Sequence, residues 1–168
     1  DSGGVTNTTS GKFGGAKSFD GSNDLISIPD STSLQFGMSN FCISLWAKRN
    51  SLTSASGGIL GKESGARYVI YDGVDGNNVY IYLKDNNSLT TLLTNTLTGG
   101  WGTGWHNIVL SVNRTSNRAN VYDNGVNINA NADISALTGL ISPGGVVQIG
   151  TRIMGSQEKF NGSIDEVM

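Results

Sequence analysis

Hydrophobic residues in this chain recur at every second position, in short runs separated by glycine, asparagine, serine and threonine. The clearest run is 41–48, in which Phe41, Ile43 and Leu45 alternate with small or polar residues. A period of two residues is typical of a β-strand with one face on a core. No stretch shows the period of an amphipathic helix. The pattern therefore predicts an all-β protein.

The same criterion predicts about a dozen short strands, separated by tight turns. Asn161-Gly162 and Asp123-Asn124-Gly125 are turn sequences, because asparagine and glycine tolerate the positive φ that a tight bend requires. The connection 31–38 has room for one helical turn. The predicted strands are 16–21, 25–29, 41–48, 59–62, 67–71, 79–83, 89–93, 105–112, 118–122, 146–150 and a last one that starts near Ser163.

The domain organisation follows from the length of 168 residues, which suits one domain with a substantial core. The chain has no fixed repeat period and no linker in its middle, so we expect residues 1–168 to form a single domain. Residues 1–15 are polar and rich in glycine and threonine, and we expect them to form a loose N-terminal segment. The absence of an initial Met and the strand-like pattern at the C-terminus favour a domain excised from a larger protein.

Charge and composition exclude several classes of function. Only 14% of the residues are charged, the net charge is −2, and there is no run of basic residues. Nucleic-acid binding is therefore not expected, since phosphate recognition requires clustered Lys and Arg. No apolar stretch has the length of a membrane span. Cys42 is the single cysteine, so we expect an ordinary buried thiol and no internal disulfide.

Short segments in both halves of the chain carry a family resemblance. They are 11–24, 28–30, 41–48, 105–109, 121–125, 148–150 and 160–167. In this order and spacing they resemble the laminin-G-like jelly rolls of the concanavalin A-like lectin/glucanase superfamily. The resemblance implies a sandwich of two antiparallel sheets, with the first and last strands close together. It also implies a module of an extracellular, cell-surface or virion-surface protein that binds a glycan or a surface protein.

A structural calcium ion is a further implication of the resemblance. By position, Asp165 on the last strand is the expected ligand, with Asp20 and the loop that contains Asn40 as companions. Calcium requires six to eight oxygen ligands. The alternative is that Asp20 caps its own turn and Asp165 accepts backbone N–H groups. A second possible ion position is the loop rim at 72–78 and 123–124, although such Asp-Gly and Asn-Gly sequences are usually turn formers.

Sugar binding requires an aromatic ring for the apolar face of the sugar and polar groups for its hydroxyls. Trp101 lies in the glycine-rich stretch 99–104, and we expect it to be exposed as a ligand contact or to anchor that loop. Tyr71, Tyr80 and Tyr82 lie on paired predicted strands, where they line either a concave binding face or a half-buried core. Two further tryptophans match core positions of the family, Trp46 and Trp105.

Catalysis is not expected. The glucanases of the superfamily carry alternating acidic residues on one strand, and no Glu-x-Asp-x-Glu sequence occurs here. Asp165 and Glu166 are adjacent, so on a strand they point to opposite faces. His106 has no serine or cysteine beside it, and we expect a packed or hydrogen-bonded imidazole. The sequence thus predicts a non-catalytic carbohydrate-binding or adhesion module, or alternatively a structural spacer or protein-interaction domain without a small-molecule ligand.

Overall fold

The computed structural model describes residues 1–50, 56–102, 104–152 and 158–168. The regular elements of these residues are β-strands and one short 3₁₀ turn, Thr32–Leu34. The described residues contain no helix that is long and apolar enough to cross a membrane. The strands are β1 Thr6–Thr8, β2 Ala16–Asp20, β3 Ile26–Ile28, β4 Phe41–Arg49, β5 Gly58–Ser64, β6 Ala66–Asp72, β7 Asn78–Lys84, β8 Thr90–Thr96, β9 His106–Asn113, β10 Arg118–Asp123, β11 Val126–Asp133, β12 Val147–Ile149 and β13 Asn161–Asp165.

The strands build two antiparallel sheets. One sheet has seven strands in the order β1-β2-β13-β4-β9-β10-β11, and the other has six in the order β3-β12-β5-β6-β7-β8. The last strand, β13, lies between β2 and β4, so both chain ends belong to the seven-stranded sheet. The predicted all-β jelly-roll sandwich is confirmed, and the first predicted strand, β2, pairs with the last strand, β13.

The core lies between the two sheets and follows directly from the alternation in sequence. In β4, Phe41, Ile43 and Leu45 are buried, and in β7 Ile81 is buried between two tyrosines that point outward. Because successive side chains of a strand point to opposite faces, each sheet contributes one apolar face to the shared core. Cys42 lies at an outward position of β4 and is exposed, so the predicted burial of its thiol is wrong.

Two strands were not predicted from the sequence. β1 lies within the segment 1–15 that was expected to be loose, and it pairs with β2 from Thr6 to Thr8. β11 contains several asparagines, of which Asn131 has a positive φ of 55°. Both are edge strands with mostly exposed side chains, so their residues carry little hydrophobic alternation. Backbone pairing with the neighbouring strand holds them in place.

Candidate functional site

The outer face of the six-stranded sheet carries three half-buried tyrosines on adjacent strands, Tyr71, Tyr80 and Tyr82. Tyr71 on β6 lies directly opposite Tyr80 on β7, and their rings stack with centroids 5.2 Å apart at an angle of 15°. Tyr82 follows two residues later, on the same face of β7. The tyrosines point outward because Ile70 and Ile81, at the alternate positions, belong to the core. We call this surface the tyrosine face.

Two arginines flank the tyrosine face. The guanidinium carbon of Arg152 lies 4.6 Å from the ring centroid of Tyr71, and that of Arg67 lies 5.3 Å from the centroid of Tyr82. Arg152 also forms a 3.1 Å ion pair with Glu158. Burial raises the pKa of Tyr71, although the positive charge of Arg152 acts in the opposite direction. Tyr71 is therefore a neutral hydrogen-bonding group at physiological pH.

The tyrosine face continues onto the edge strand β8. Leu92 lies opposite Tyr82 and is 50% exposed, and Thr94 lies opposite Tyr80 and is exposed. Flat aromatic rings, an exposed aliphatic side chain and hydroxyl groups are thus presented side by side. This combination suits a ligand with both apolar and hydroxylated surfaces.

Asp165, the residue expected to hold calcium, fixes a loop of the N-terminal segment by hydrogen bonds. Its Oδ2 accepts hydrogen bonds from the backbone N–H groups of Lys12 and Phe13, at 2.9 and 3.1 Å. Its Oδ1 accepts one from the N–H of Glu166 at 2.9 Å. The loop covers Trp46 on the outer face of the seven-stranded sheet, with the Phe13 ring in an edge contact at 5.7 Å and the Lys12 ammonium 4.4 Å from the ring centroid.

The structure does not bring the predicted calcium ligands together. Asp20 lies four register positions from Asp165 along the paired strands β2 and β13, which is about 13 Å. Its side chain caps its own turn through a 2.7 Å hydrogen bond. Asn40 precedes β4, six residues from the partner of Asp165 and so about 20 Å away, where it accepts N–H groups of the turn at 114–115. The roles of Asp20 and Asp165 are the alternatives that the sequence allowed, and calcium binding by the chain stays a prediction.

The loop rim shows turn-forming and ion-paired carboxylates. Asp75 accepts the backbone N–H groups of Asn77 and Asn78 at 2.9 and 3.0 Å, and these hydrogen bonds lower its pKa. Asp72 is buried in an ion pair with Arg49, whose Nε lies 2.9 Å from Oδ2. Within the described ranges, no group of three or more His, Cys, Asp or Glu side chains is placed to hold a metal ion.

Trp101 is fully buried, so the prediction of an exposed tryptophan is wrong. Its indole N–H donates a 2.9 Å hydrogen bond to the carbonyl of Asn78, and its backbone N–H donates to the carbonyl of Gly76 at 2.9 Å. Gly99 and Gly100 have positive φ values of 81° and 69°, which turn the chain back under the β6–β7 hairpin. A buried indole offers no face to a sugar, and Trp101 therefore anchors its loop.

Unlike Trp101, the other two tryptophans are not in the core: Trp46 and Trp105 are half-buried, so the core positions expected for them are wrong. His106 is hydrogen-bonded, as expected, and packs against Trp101 with ring centroids 5.4 Å apart. Its Nδ1 lies 2.9 Å from Oδ1 of Asp123, and its Nε2 lies 3.2 Å from the carbonyl oxygen of Trp101. The hydrogen bond to Asp123 was not predicted, because the two residues lie 17 positions apart and meet only through strand pairing; Asp123 also accepts the N–H of Thr98 at 3.0 Å.

Among the described residues, pockets lie between the sheets at two places. One has a volume of about 350 Å³ near Asp165, and the other has about 290 Å³ near Tyr68 and Met168. Aliphatic side chains such as Ile26 and Ile149 line the first pocket, and both oxygens of its buried carboxylate already accept backbone N–H groups. The tyrosine face, by contrast, presents aromatic rings, an exposed aliphatic side chain and hydroxyl groups on one open surface.

Comparisons with known proteins agree with this architecture. The laminin G profile of the concanavalin A-like lectin/glucanases superfamily matches residues 20–168. No curated protein sequence matches significantly. Among solved structures, the binding domain of Paraclostridial mosquitocidal protein 1 has a TM-score of 0.76 at 21% identity, over 96% of this chain and 40% of that one. The present chain thus spans less than half of that binding domain.

Two carbohydrate-binding structures are also similar. Domain 4 of AbnA, an extracellular arabinanase from Geobacillus stearothermophilus, solved with arabinotriose, has a TM-score of 0.70 at 19% identity, over 99% of this chain and 75% of that one. A Ruminococcus gnavus sialidase CBM40 bound to α2,3-sialyllactose has a TM-score of 0.56 at 18% identity, over 84% and 85%. At such identities these structures show the fold alone. The profile match over most of its length establishes that the chain belongs to the concanavalin A-like lectin/glucanases superfamily.

Proposed function

We propose that this domain is a non-catalytic module that binds a glycan through the tyrosine face, in a secreted or surface protein. The observation that carries the proposal is the stacked pair of Tyr71 and Tyr80, continued by Tyr82 on an outer sheet face. Tyrosine rings on the outside of a sheet are not required by the core, which is filled from the opposite face. Ligand binding gives a reason for this arrangement.

Sugar rings have apolar C–H faces and polar edges, and the tyrosine face has groups for both. The C–H faces pack against aromatic rings, while hydroxyls bond to the tyrosine O–H groups and to Thr94. The similar domains from AbnA and the CBM40 were solved with arabinotriose and sialyllactose, and that of the mosquitocidal protein is a binding domain. These neighbours support a binding module that belongs to a larger protein.

The surroundings of the tyrosine face favour binding over hydrolysis. A glycoside hydrolase needs two carboxyl groups that face each other across the scissile bond. Glu63 and Glu158, which border this face, lie in ion pairs with Arg67 and Arg152 respectively. Each carboxylate thus orients a guanidinium, which is a role in positioning rather than in proton transfer.

The test is a screen of the purified domain against immobilised neutral and acidic glycans, followed by titration of the best ligand. Tyr80→Ala should weaken binding at least about tenfold, or about 1.4 kcal/mol, because it removes the central ring of the face. Tyr122→Ala is the matched control, since Tyr122 is a half-buried tyrosine on the outer face of the other sheet. Absence of glycan binding, or equal losses in both variants, would overturn the proposal.

A further inference from the structure

Two basic residues face each other at one end of the tyrosine face. Arg67 on β6 is directly opposite Lys84 on β7 in the register of the strands. Side chains in this relation start from Cβ atoms about 5 Å apart, and like charges there destabilise a sheet. No ion pair or hydrogen bond of the Lys84 side chain is found among the described residues. An anion bound between the two side chains would reduce the repulsion between their positive charges.

The guanidinium of Arg67 is held in place but uses little of its hydrogen-bonding capacity. It lies 5.3 Å from the ring centroid of Tyr82, and its Nη1 lies 3.6 Å from Oε2 of Glu63, beyond hydrogen-bond distance. Its buried Nε has no hydrogen-bond partner within the described ranges. Packing against an aromatic ring is a common way to orient an arginine for planar, bidentate contact with a carboxylate.

The charge balance makes this end of the face electropositive. Arg67 and Lys84 contribute two positive charges, and Glu63, whose side chain is fully buried, contributes one negative charge. At the other end, Arg152 and Glu158 form a neutral pair beside Tyr71. A ligand with one acidic sugar and a neutral remainder would match this asymmetry.

From these contacts we infer that the glycan carries a carboxylate, as a uronic or sialic acid residue does, and that Arg67 and Lys84 bind it. This inference rests on the proposed function and adds the ligand class. The acidic sugar lies beside Tyr82, its carboxylate between the guanidinium and the ammonium. The neutral part of the glycan extends toward Tyr80 and Tyr71. Electrostatic attraction then contributes affinity that depends on ionic strength.

The experiment compares each acidic oligosaccharide with its carboxyl-reduced counterpart in titrations at low and physiological salt. The acidic form should bind at least about tenfold more tightly at low salt, with a smaller difference at higher salt. Lys84→Gln should remove most of this preference, because the acidic form loses affinity while the reduced form has no carboxylate to lose. It also removes a like-charge neighbour of Arg67, so loss of folding is not expected. Lys48→Gln, a half-buried lysine on the outer face of the other sheet, is the control.

Each outcome separates this inference from the proposed function. Equal binding of the acidic and reduced forms, or an unchanged ratio in Lys84→Gln, overturns the inference, while weaker binding by Tyr80→Ala still supports a glycan module. Equal affinity for a sulfated counterpart contradicts the carboxylate contact and indicates a general anion site. Binding of acidic peptides without any glycan contradicts both proposals.

Discussion

At the scale of single residues, the carboxylates of this protein show how one residue type serves different purposes. Asp165 accepts three backbone N–H groups, Asp72 contacts a buried arginine, and Asp75 closes an exposed turn. A buried carboxylate without hydrogen bonds or counter-charge would cost several kcal/mol. The structure satisfies each group locally, which gives these residues roles in stability that can be measured.

Asp165→Asn should lower the free energy of unfolding by about 1–3 kcal/mol, because the amide nitrogen cannot accept the N–H groups of Lys12 or Phe13. Denaturant unfolding measures the change. Glu166→Gln is the control, since Glu166 is exposed, and it should change stability by less than about 0.5 kcal/mol. The same measurement with chelator tests calcium: if the effect of Asp165→Asn disappears when calcium is removed, the carboxylate acts through an ion and the hydrogen-bond account is wrong.

Asp72 should make stability depend on pH. Burial raises its pKa from 3.8 to about 7, against the opposing charge of Arg49. The folded protein therefore holds this proton more tightly than the unfolded chain does. Its stabilising contribution is complete below about pH 4 and is lost as the pH rises through about 7.

We therefore expect the difference in free energy of unfolding between the wild type and Asp72→Asn to fall between about pH 4 and pH 7. Urea unfolding at several pH values measures it. Asp75 should show the opposite pH dependence, because its pKa is lowered in the folded protein. Its contribution to the free energy of unfolding is present above about pH 4 and is lost as the pH falls further. A wild-type to Asp72→Asn difference that is independent of pH would contradict the expected titration.

At the scale of elements, the loop from Thr98 to Trp101 is held by contacts from three directions. Asp123 on β10 accepts its first N–H, the β6–β7 hairpin accepts the indole N–H, and His106 on β9 packs against the indole ring. The glycines supply the backbone conformation, and the tryptophan supplies the buried surface. The loop thus ties the hairpin to the opposite sheet.

Trp101→Ala should lower the free energy of unfolding by about 3–5 kcal/mol, since it leaves a cavity and removes the indole hydrogen bond. Glycan affinity of the folded variant should be unchanged, because the side chain has no exposed surface. Thermal unfolding and glycan titration at low temperature measure the two effects. A variant that is stable but has lost glycan binding would show that Trp101 contacts the ligand after all.

At the scale of the whole molecule, a polar link joins the free edges of the two sheets. Asn95 on β8 donates to the carbonyls of Val79 and Leu93 at 3.0 Å, and its Oδ1 accepts the side-chain amide of Asn129 on β11 at 2.9 Å. β8 and β11 are the last strands of their sheets. Since Asn95 is buried, the link closes one side of the sandwich.

Asn95→Ala should lower the free energy of unfolding by about 1–3 kcal/mol, because the carbonyls and the Asn129 amide lose a buried partner. Thr94→Ala, at the neighbouring exposed position, is the control and should have little effect on stability. Hydrogen exchange at β8 and β11 should increase more than exchange at β4 and β9. If Asn95→Ala increased hydrogen exchange equally in all strands, the link would not be local to the edges of the sheets.

Much of the fold was readable from the sequence because strand alternation is a local property. The runs around Phe41, Ile81 and Ile108 each show which side chains face the core, whatever the partner strand is. The three tyrosines at alternate outward positions were also visible as candidates. The pairing of their strands was predicted as well, and the structure adds that the three side chains lie half-buried on the outer face of the sheet.

Contacts between residues far apart in the chain could not be read from the sequence. The burial of Trp101, the N–H partners of Asp165 and the distance between Asp20 and Asp165 all depend on which segments meet. The same is true of Arg67 and Lys84, whose positions become adjacent only through strand register. Local sequence determines the direction in which a side chain points along its strand, whereas the packing of the sheets determines what it meets there.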